Sequence, residues 1–316
     1  MLTYLIILLD RTSTSYCHYC VPKEERQLMP IEVLRQGIVW AMKENVNVQF
    51  VYPDQELPPE YDALIESIDH TKIKPEAVAG GEADVVVVTS WKEHLDDGLD
   101  GKTCILRASR QELMEHETQV MQLLGKVARL NLILTDTETF AHCDTESYQA
   151  LLERLSDYIV DCIASRRNVQ LNLLTDRLQL SEMNNCGAGD TTLTLAPNGR
   201  FYICPAFYFE DAEGNAVGDL KAGVKILNSQ LLRLDHAPIC RVCDAFHCHR
   251  CVWMNATLTG DANTPSHQQC VVSHLERNAS RRLQRLMLER GIRMEGWADI
   301  PPLDYLDPFE KATRWK

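Results

Sequence analysis

No stretch of this 316-residue sequence is apolar for long enough to cross a membrane. The nearest approach is Leu5-Ile6-Ile7-Leu8-Leu9. It has no cationic residue before it and runs straight into Asp10 and Arg11, so it lacks the flanks and the small-residue cleavage site of an export signal. Positive charge is also scarce. The 45 acidic side chains outnumber the 32 basic ones, and the net charge of −13 repels a phosphate backbone rather than attracting one. Internal repeats and low-complexity tracts are missing too. What remains, 45% hydrophobic and 24% charged residues, is the composition of an ordered globular protein with room for a sizeable core. The expectation is a cytosolic (cytoplasmic) protein with neither nucleic acid nor membrane as a partner.

Cysteine, by contrast, is abundant. There are twelve, and seven of them fall between Cys186 and Cys270. A disulfide scaffold suits a small secreted domain; a long chain with a normal core and no export signal leaves its thiols available for metal.

The first 180 residues alternate short apolar runs with helical patterns, the signature of parallel βαβ units. Six runs read as strands: 4–9, 46–52, 84–89, 103–107, 130–135 and 169–174. Pro30 opens a crossover helix with Ile31, Leu34, Ile38 and Met42 on one face, closed by Asn45. Ser109 and Glu112 form a capping box, and Asp144 caps a helix carrying Leu151, Leu155, Ile159 and Cys162. The segment 55–82 reads as irregular, with Gly80-Gly81-Glu82 an ordinary turn. Several strands end in polar residues: Asp10, Asp54, Thr89-Ser90, Arg107, Asp136 and Asp176. In a parallel barrel these would share the mouth where active sites are assembled, although loops facing water end most strands this way. After Cys270 a helix runs from Val271 to Arg290, stopped by Gly291, and a tail with Pro301-Pro302 closes the chain.

The cysteines themselves fall into two groups. Cys186 and Cys204 bracket an alternating Thr-Leu run, a Pro197-Asn198-Gly199 turn and Phe201-Tyr202-Ile203, a hairpin that brings both thiols to one end. Cys240-x-x-Cys243 and Cys248-x-x-Cys251 follow, then Cys270. A CxxC loop is short enough for both sulfurs to reach one ion or cluster. The count alone does not choose between zinc and iron–sulfur, since both accept four thiolates. His236, His247, His249 and His267 lie among these cysteines, either as ligands or as groups that orient them. Cys104 and Cys162, isolated on a strand and a helix face, read as core.

The spacing from Cys186 through Gly199 to Cys204, then Cys240, Cys243, Cys248, Cys251 and Cys270, resembles the SPASM domain, the auxiliary-cluster module of radical S-adenosylmethionine peptide-modifying enzymes. Gly218-Asp219-Leu220 resembles it as well. Two gaps, after Cys243 and after Cys248, are each one residue shorter than usual. The resemblance implies one 4Fe-4S cluster on Cys240, Cys243, Cys248 and Cys270. It implies a second on Cys186, Cys204 and Cys251, with a further ligand from Cys162, a histidine or substrate.

Enzymes of that class carry CxxxCxxC after the first strand. Here Cys17 and Cys20 keep the register and Ser13 stands in place of the first cysteine; after the second strand, Tyr52-Pro53-Asp54 replaces a Gly-Gly-Glu motif. This combination resembles the CXXX repeat peptide maturases. The fold expected is a partial (β/α)6 radical-SAM-like barrel over 1–180, a SPASM-like iron–sulfur domain over 181–275, and a C-terminal helix and tail over 276–316. The function expected is maturation of a ribosomally synthesised, cysteine-rich precursor peptide. Either the chain is a divergent enzyme using S-adenosylmethionine at Cys17 and Cys20, or it binds peptide without catalysis beside a partner maturation enzyme. A zinc-stabilised binding module is the alternative.

Overall fold

The computed structural model describes residues 2–21, 25–80, 82–89, 91, 97–294 and 296–297. In chain order its elements are β1 (Tyr4–Leu8), α1 (Ile31–Glu44), β2 (Asn47–Val51), α2 (Pro59–Ile65), β3 (His70–Pro75), β4 (Val85–Val88), β5 (Thr103–Ala108), α3 (Arg110–Glu115), α4 (Glu117–Lys126), β6 (Arg129–Leu134), α5 (His142–Ala164) and α6 (Asn172–Gln179). The cysteine-rich part then gives β7 (Thr192–Leu195), β8 (Arg200–Tyr202), α7 (Pro205–Glu210), β9 (Gly218–Asp219), β10 (Gly223–Val224), α8 (Val252–Thr259) and α9 (His267–Glu289). Contacts divide the chain into two units, one of Met1–Thr89 with Cys186–His236 and one of Ser90–Asn185 with Ala237–Lys316. Each unit therefore joins an earlier and a later piece of the sequence.

In the first unit eight strands lie in the order β10-β9-β8-β7-β1-β2-β3-β4. From β7 to β4 they run parallel, and β8, β9 and β10 extend the sheet antiparallel. The apolar run of β1 is buried at Leu5, Ile7, Leu8 and Leu9, as a strand covered on both faces requires. Leu5, Ile7, Leu34, Ile38, Phe50, Leu193, Leu195 and Phe201 share one core. Gly37 sits where α1 presses on β7: a Cβ there would come within 2.4 Å of Leu195 Cδ2, so that side chain would have to shift.

Two expectations about this unit need correction. The segment 55–82 is not irregular, because α2 and β3 lie within it. β3 was hidden by Lys72 and Lys74, which a burial pattern excludes; Lys72 is nonetheless buried, its ammonium held by Glu66 with Glu82 at 3.7 Å. Met42 is not on the buried face of α1 but 65% exposed, and Leu34, Gly37, Ile38 and Ala41 make that face instead. Pro30 and Asn45 do bound the helix, Asn45 with a left-handed φ of 53°.

The second unit pairs β5 with β6 in parallel and lays α9 against α5 and α6. Here the expected strand at 169–174 is absent. Leu171 makes one isolated parallel bridge to Leu130, and the chain then turns into α6. The reason is Asn172. Its Oδ1 accepts from Leu132 N at 2.9 Å and its Nδ2 donates to Leu132 O at 3.1 Å, so a side-chain amide completes the ladder that a sixth strand's backbone would have supplied. Asp144 lies inside its helix, which begins at His142, yet its carboxylate still caps by accepting from Ala141 N at 2.8 Å. The Ser109–Glu112 capping box is present, and Cys104 and Cys162 are fully buried. The last helix begins at His267, earlier than expected, with Ser266 as its cap; the Pro301-Pro302 tail lies outside the described residues. No helix among the described residues is long and apolar enough to cross a membrane.

Candidate metal centres

In the second unit the CxxC pairs form two tight loops whose backbone amides turn toward sulfur. Ala245 N donates to Cys243 Sγ at 3.4 Å and Arg250 N to Cys248 Sγ at 3.5 Å. Cys251 caps α8, its sulfur accepting from Met254 N at 3.5 Å. A neutral thiol is a weak acceptor, whereas a metal-bound thiolate is charged and gains from every donor aimed at it. Arg250 holds the second loop in shape. Its backbone is left-handed, φ 44°, a conformation costing a non-glycine residue about 1–3 kcal/mol. Its buried guanidinium offsets this by donating to Asn185 Oδ1 and Asn263 Oδ1, both at 2.9 Å.

Burial pushes the Cys240 thiol up to about 12, with Cys248 adding to it and Arg250 opposing. Burial does the same to Cys243, also to about 12, against the Ala245 amide. Thiols so placed stay protonated in an apolar pocket, and a coordinating cation reverses that by deprotonating its ligands outright. Buried sulfurs with amides directed at them therefore fit a thiolate-bound metal centre. Among the described residues no three His, Cys, Asp or Glu side chains converge closely enough to hold a single metal ion.

One helix supplies the wall opposite these loops. Cys270, His274, Arg277 and Arg281 recur along α9 at steps of four, three and four, and so share a face. His274 Nε2 lies 3.6 Å from Cys243 Sγ. Arg277 Nη1 donates to Asp244 Oδ1 at 3.0 Å, and Arg281 also pairs with Asp244. A third arginine, Arg177 of α6, donates from Nε to Asp244 O at 2.9 Å and places Nη2 3.3 Å from Asp244 Oδ2. One aspartate thus answers three guanidiniums beside Cys243. Burial alone would raise its carboxyl, but Arg277, Arg281 and Arg177 outweigh that and hold it below the usual range. Burial also lowers Arg177, with Asp244 opposing and the other two arginines reinforcing.

Beside Cys248, His247 Nε2 meets Glu276 Oε2 at 3.1 Å, and Tyr148 Oη donates to Glu276 Oε1 at 2.7 Å. His249 is pulled below its ordinary value by burial, while His236 is exposed and pairs with Asp235. His274, which was not among the four expected histidines, lies against Cys243 Sγ. Sequence reading missed His274, Asp244 and the three arginines. The one signal was the four-residue step from Cys270 to His274.

In the first unit the hairpin forms as expected, β7 against β8 with Thr194 opposite Tyr202. Burial raises Cys204 far above the ordinary thiol range, Cys186 and Cys17 add to it, and the amides of Ala206 and Phe207 oppose. The half-buried Tyr16 hydroxyl is likewise raised by burial and then by Tyr19, Cys17, Cys204 and Cys186. Cys20 is exposed. Ser13, in place of the first cysteine, is buried and tied to backbone: its hydroxyl donates to Val51 O at 2.8 Å and accepts from Asp10 N at 3.0 Å. Tyr52, where a glycine was expected by resemblance, is buried with the Lys74 ammonium 4.7 Å from its ring centre. A cavity of about 520 Å³ adjoins this loop, lined by Arg11, Gln27, Tyr208 and Phe209 and rimmed by Glu210 and Glu213.

Of the polar strand ends, Asp10 is buried and accepts from Thr12 N at 2.8 Å. Asp136 accepts from Arg110 Nε at 3.0 Å. Asp176 lies in α6 and accepts from Arg129 Nη2 at 2.6 Å. These carboxylates hold the fold. Gly80 and Glu82 belong to a turn; Gly81 and Ser90 lie outside the described residues.

Among solved structures, anSMEcpe with bound AdoMet and the Cp18Cys peptide superposes with a TM-score of 0.60 over 91% of this chain and 99% of that one, at 13% identity. The chain has the fold of anSMEcpe. A histidine-tagged form of anSMEcpe with bound AdoMet agrees, with a TM-score of 0.59 over 93% and 100% of the two chains at 12% identity. SuiB of Streptococcus suis bound to S-adenosylmethionine aligns over 76% of this chain and 67% of its own, with 15% identity and a TM-score of 0.45. No family model and no curated protein sequence matches.

Proposed function

We propose that this chain takes part in maturing a ribosomally synthesised cysteine-repeat (CXXX) peptide, holding the precursor beside iron–sulfur centres and leaving S-adenosylmethionine uncleaved. The observation that carries this reading is Ser13. The chain follows the anSMEcpe fold almost end to end, and anSMEcpe has been solved with AdoMet and a peptide. Yet the residue that should be the first cysteine of the cofactor loop is a buried serine bonded to backbone on both sides. Tyr52 supports the same reading, since a buried aromatic ring fills the position where the resemblance expects glycines. The cavity beside Arg11 and Phe209 is large enough to take side chains of a peptide. Iron–sulfur is favoured over zinc by the SPASM-like spacing of the seven thiols from Cys186 to Cys270.

Two measurements test the proposal. Reduced, anaerobic protein incubated with S-adenosylmethionine should release no 5′-deoxyadenosine, and a CXXX-repeat peptide should bind more tightly than its serine-substituted form. Stoichiometric 5′-deoxyadenosine from the wild type, abolished in Cys17→Ser, would instead make the chain a radical enzyme. Equal binding of the two peptides would remove the role of substrate cysteine.

A further inference from the structure

Cys17 and Cys20 have no work in the reading above, yet they keep the spacing of a dithiol. A Cys-x-x-Cys pair beside βαβ units suits thiol–disulfide exchange as well as metal. With Ser13 in place of the first cysteine, the loop offers two thiols, the number that a disulfide needs. It is tightly folded. The backbone bends at Cys17 and His18. Ser15 Oγ donates to Tyr19 O, closing a turn around Cys17, and the rings of Tyr16 and Tyr19, also three residues apart, meet edge-on at 5.9 Å.

The two thiols differ in access: Cys20 is exposed and Cys17 half-buried. Tyr19, which precedes Cys20, is buried and stacks on Phe209 at 5.5 Å with the rings 17° apart. Phe209 and Arg11 both line the cavity of about 520 Å³. The exposed thiol therefore follows directly on the residue that packs against the cavity wall, and all of these groups belong to the first unit. Exchange asks for this asymmetry, an accessible sulfur to attack and a second one behind it to resolve.

We propose that Cys17 and Cys20 form a dithiol that reduces a disulfide of the cysteine-rich precursor peptide before the peptide is held for maturation. The inference rests on the peptide reading: a substrate held by its cysteines must present them as thiols. Cys20 gives its proton to solvent and attacks one sulfur of the peptide disulfide; that S–S bond breaks, and the departing peptide thiolate takes a proton from water. Cys17 then loses its proton to solvent and attacks Cys20 Sγ, breaking the mixed disulfide and releasing the second peptide thiol. The protein gives up two electrons and two protons to form a Cys17–Cys20 bond, and the peptide gains both. A small dithiol restores the pair.

The test uses the full-length, anaerobically purified and reduced chain, freed of small thiols. One probe is a synthetic CXXX-repeat peptide closed by a disulfide, and the other is oxidised glutathione, a disulfide without the repeat. Products are alkylated and mapped by mass spectrometry. Wild type should reduce about one peptide disulfide per chain and acquire the Cys17–Cys20 bond. Cys17→Ser should trap the peptide as a mixed disulfide on Cys20, a gain of signal at one mapped sulfur that misfolding does not produce. Cys20→Ser should lose both products, while a change at the exposed Cys143 of α5 should leave them at wild-type yield. No Cys17–Cys20 bond with either probe, or undiminished reduction by Cys20→Ser, would overturn the exchange site and leave peptide binding untouched. A Cys17–Cys20 bond formed with glutathione but not with the peptide would overturn the peptide as its substrate, and would count against the maturation reading as well.

Discussion

Asp244→Asn should cost about 3–5 kcal/mol, the range for removing one partner from a buried ion pair. That is a large share of the roughly 5–15 kcal/mol by which a folded protein is stable. The carboxylate is almost fully buried and answers Arg177 and Arg277, which are buried too, and Arg281 at the rim. Asparagine fills the same space but fails twice. It leaves the guanidiniums without a counter-charge, and it turns an NH₂ donor toward N–H groups that are themselves donors. Arg281→Gln, at a side chain 36% exposed, should cost about 1 kcal/mol or less. Denaturant midpoints at neutral pH measure both.

The pH dependence follows from the sign of the Asp244 shift. Its folded-state carboxyl lies below its ordinary value. Its contribution is therefore complete above the unfolded pKa and is lost only as pH falls through the depressed folded value, below the usual carboxylate range. The wild type should lose this stability in acid, and Asp244→Asn should have a flatter acid limb. If the variant unfolds within about 0.5 kcal/mol of the wild type, the network carries no weight.

Replacing Cys240, Cys243, Cys248 or Cys270 by serine should be as damaging, because metal binding in such loops is coupled to folding. Serine keeps the volume but replaces a soft thiolate with a hydroxyl that binds iron poorly at neutral pH. Each variant should lose bound metal and expose the chain from Ala237 onward to proteolysis, which timed digestion with mass spectrometry reads directly. His274→Ala separates ligand from neighbour. As a hydrogen-bond partner of Cys243 it should leave metal content nearly intact, while as a ligand it should behave like the cysteine variants. Full metal content in all four serine variants would remove these residues from the centre.

The parts of this molecule that were legible in the sequence are those whose signal is local. Alternation and a Pro-Asn-Gly turn gave the β7–β8 hairpin, and continuous Val, Ile and Leu marked β1 and β4. The CxxC pairs announced loops because two sulfurs three residues apart can share a centre. β3 was illegible because Lys72 is charged and buried, which makes sense only once Glu66 and Glu82 are seen beside it. The strand expected at 169–174 failed for the converse reason. Its apolar residues are real, but a side-chain amide at Asn172 does the pairing and frees the backbone to become helix.

At the site, the face of α9 bearing Cys270, His274, Arg277 and Arg281 has helical periodicity in polar residues. Read alone, such a stripe suggests a solvated surface. With Cys243 and Asp244 beside them, His274 and Arg277 on that stripe are buried, while Arg281 stays at the rim. The stacking of Tyr19 on Phe209 lies further beyond sequence reading, since Phe209 belongs to a helix far along the chain.

The most direct test of the account is the metal content of the protein as isolated. Anaerobic purification should give brown protein containing iron and acid-labile sulfide in near-equal amounts, because both groups of cysteines are read as holding clusters of iron and sulfide. Colourless protein with stoichiometric zinc and no sulfide would contradict it.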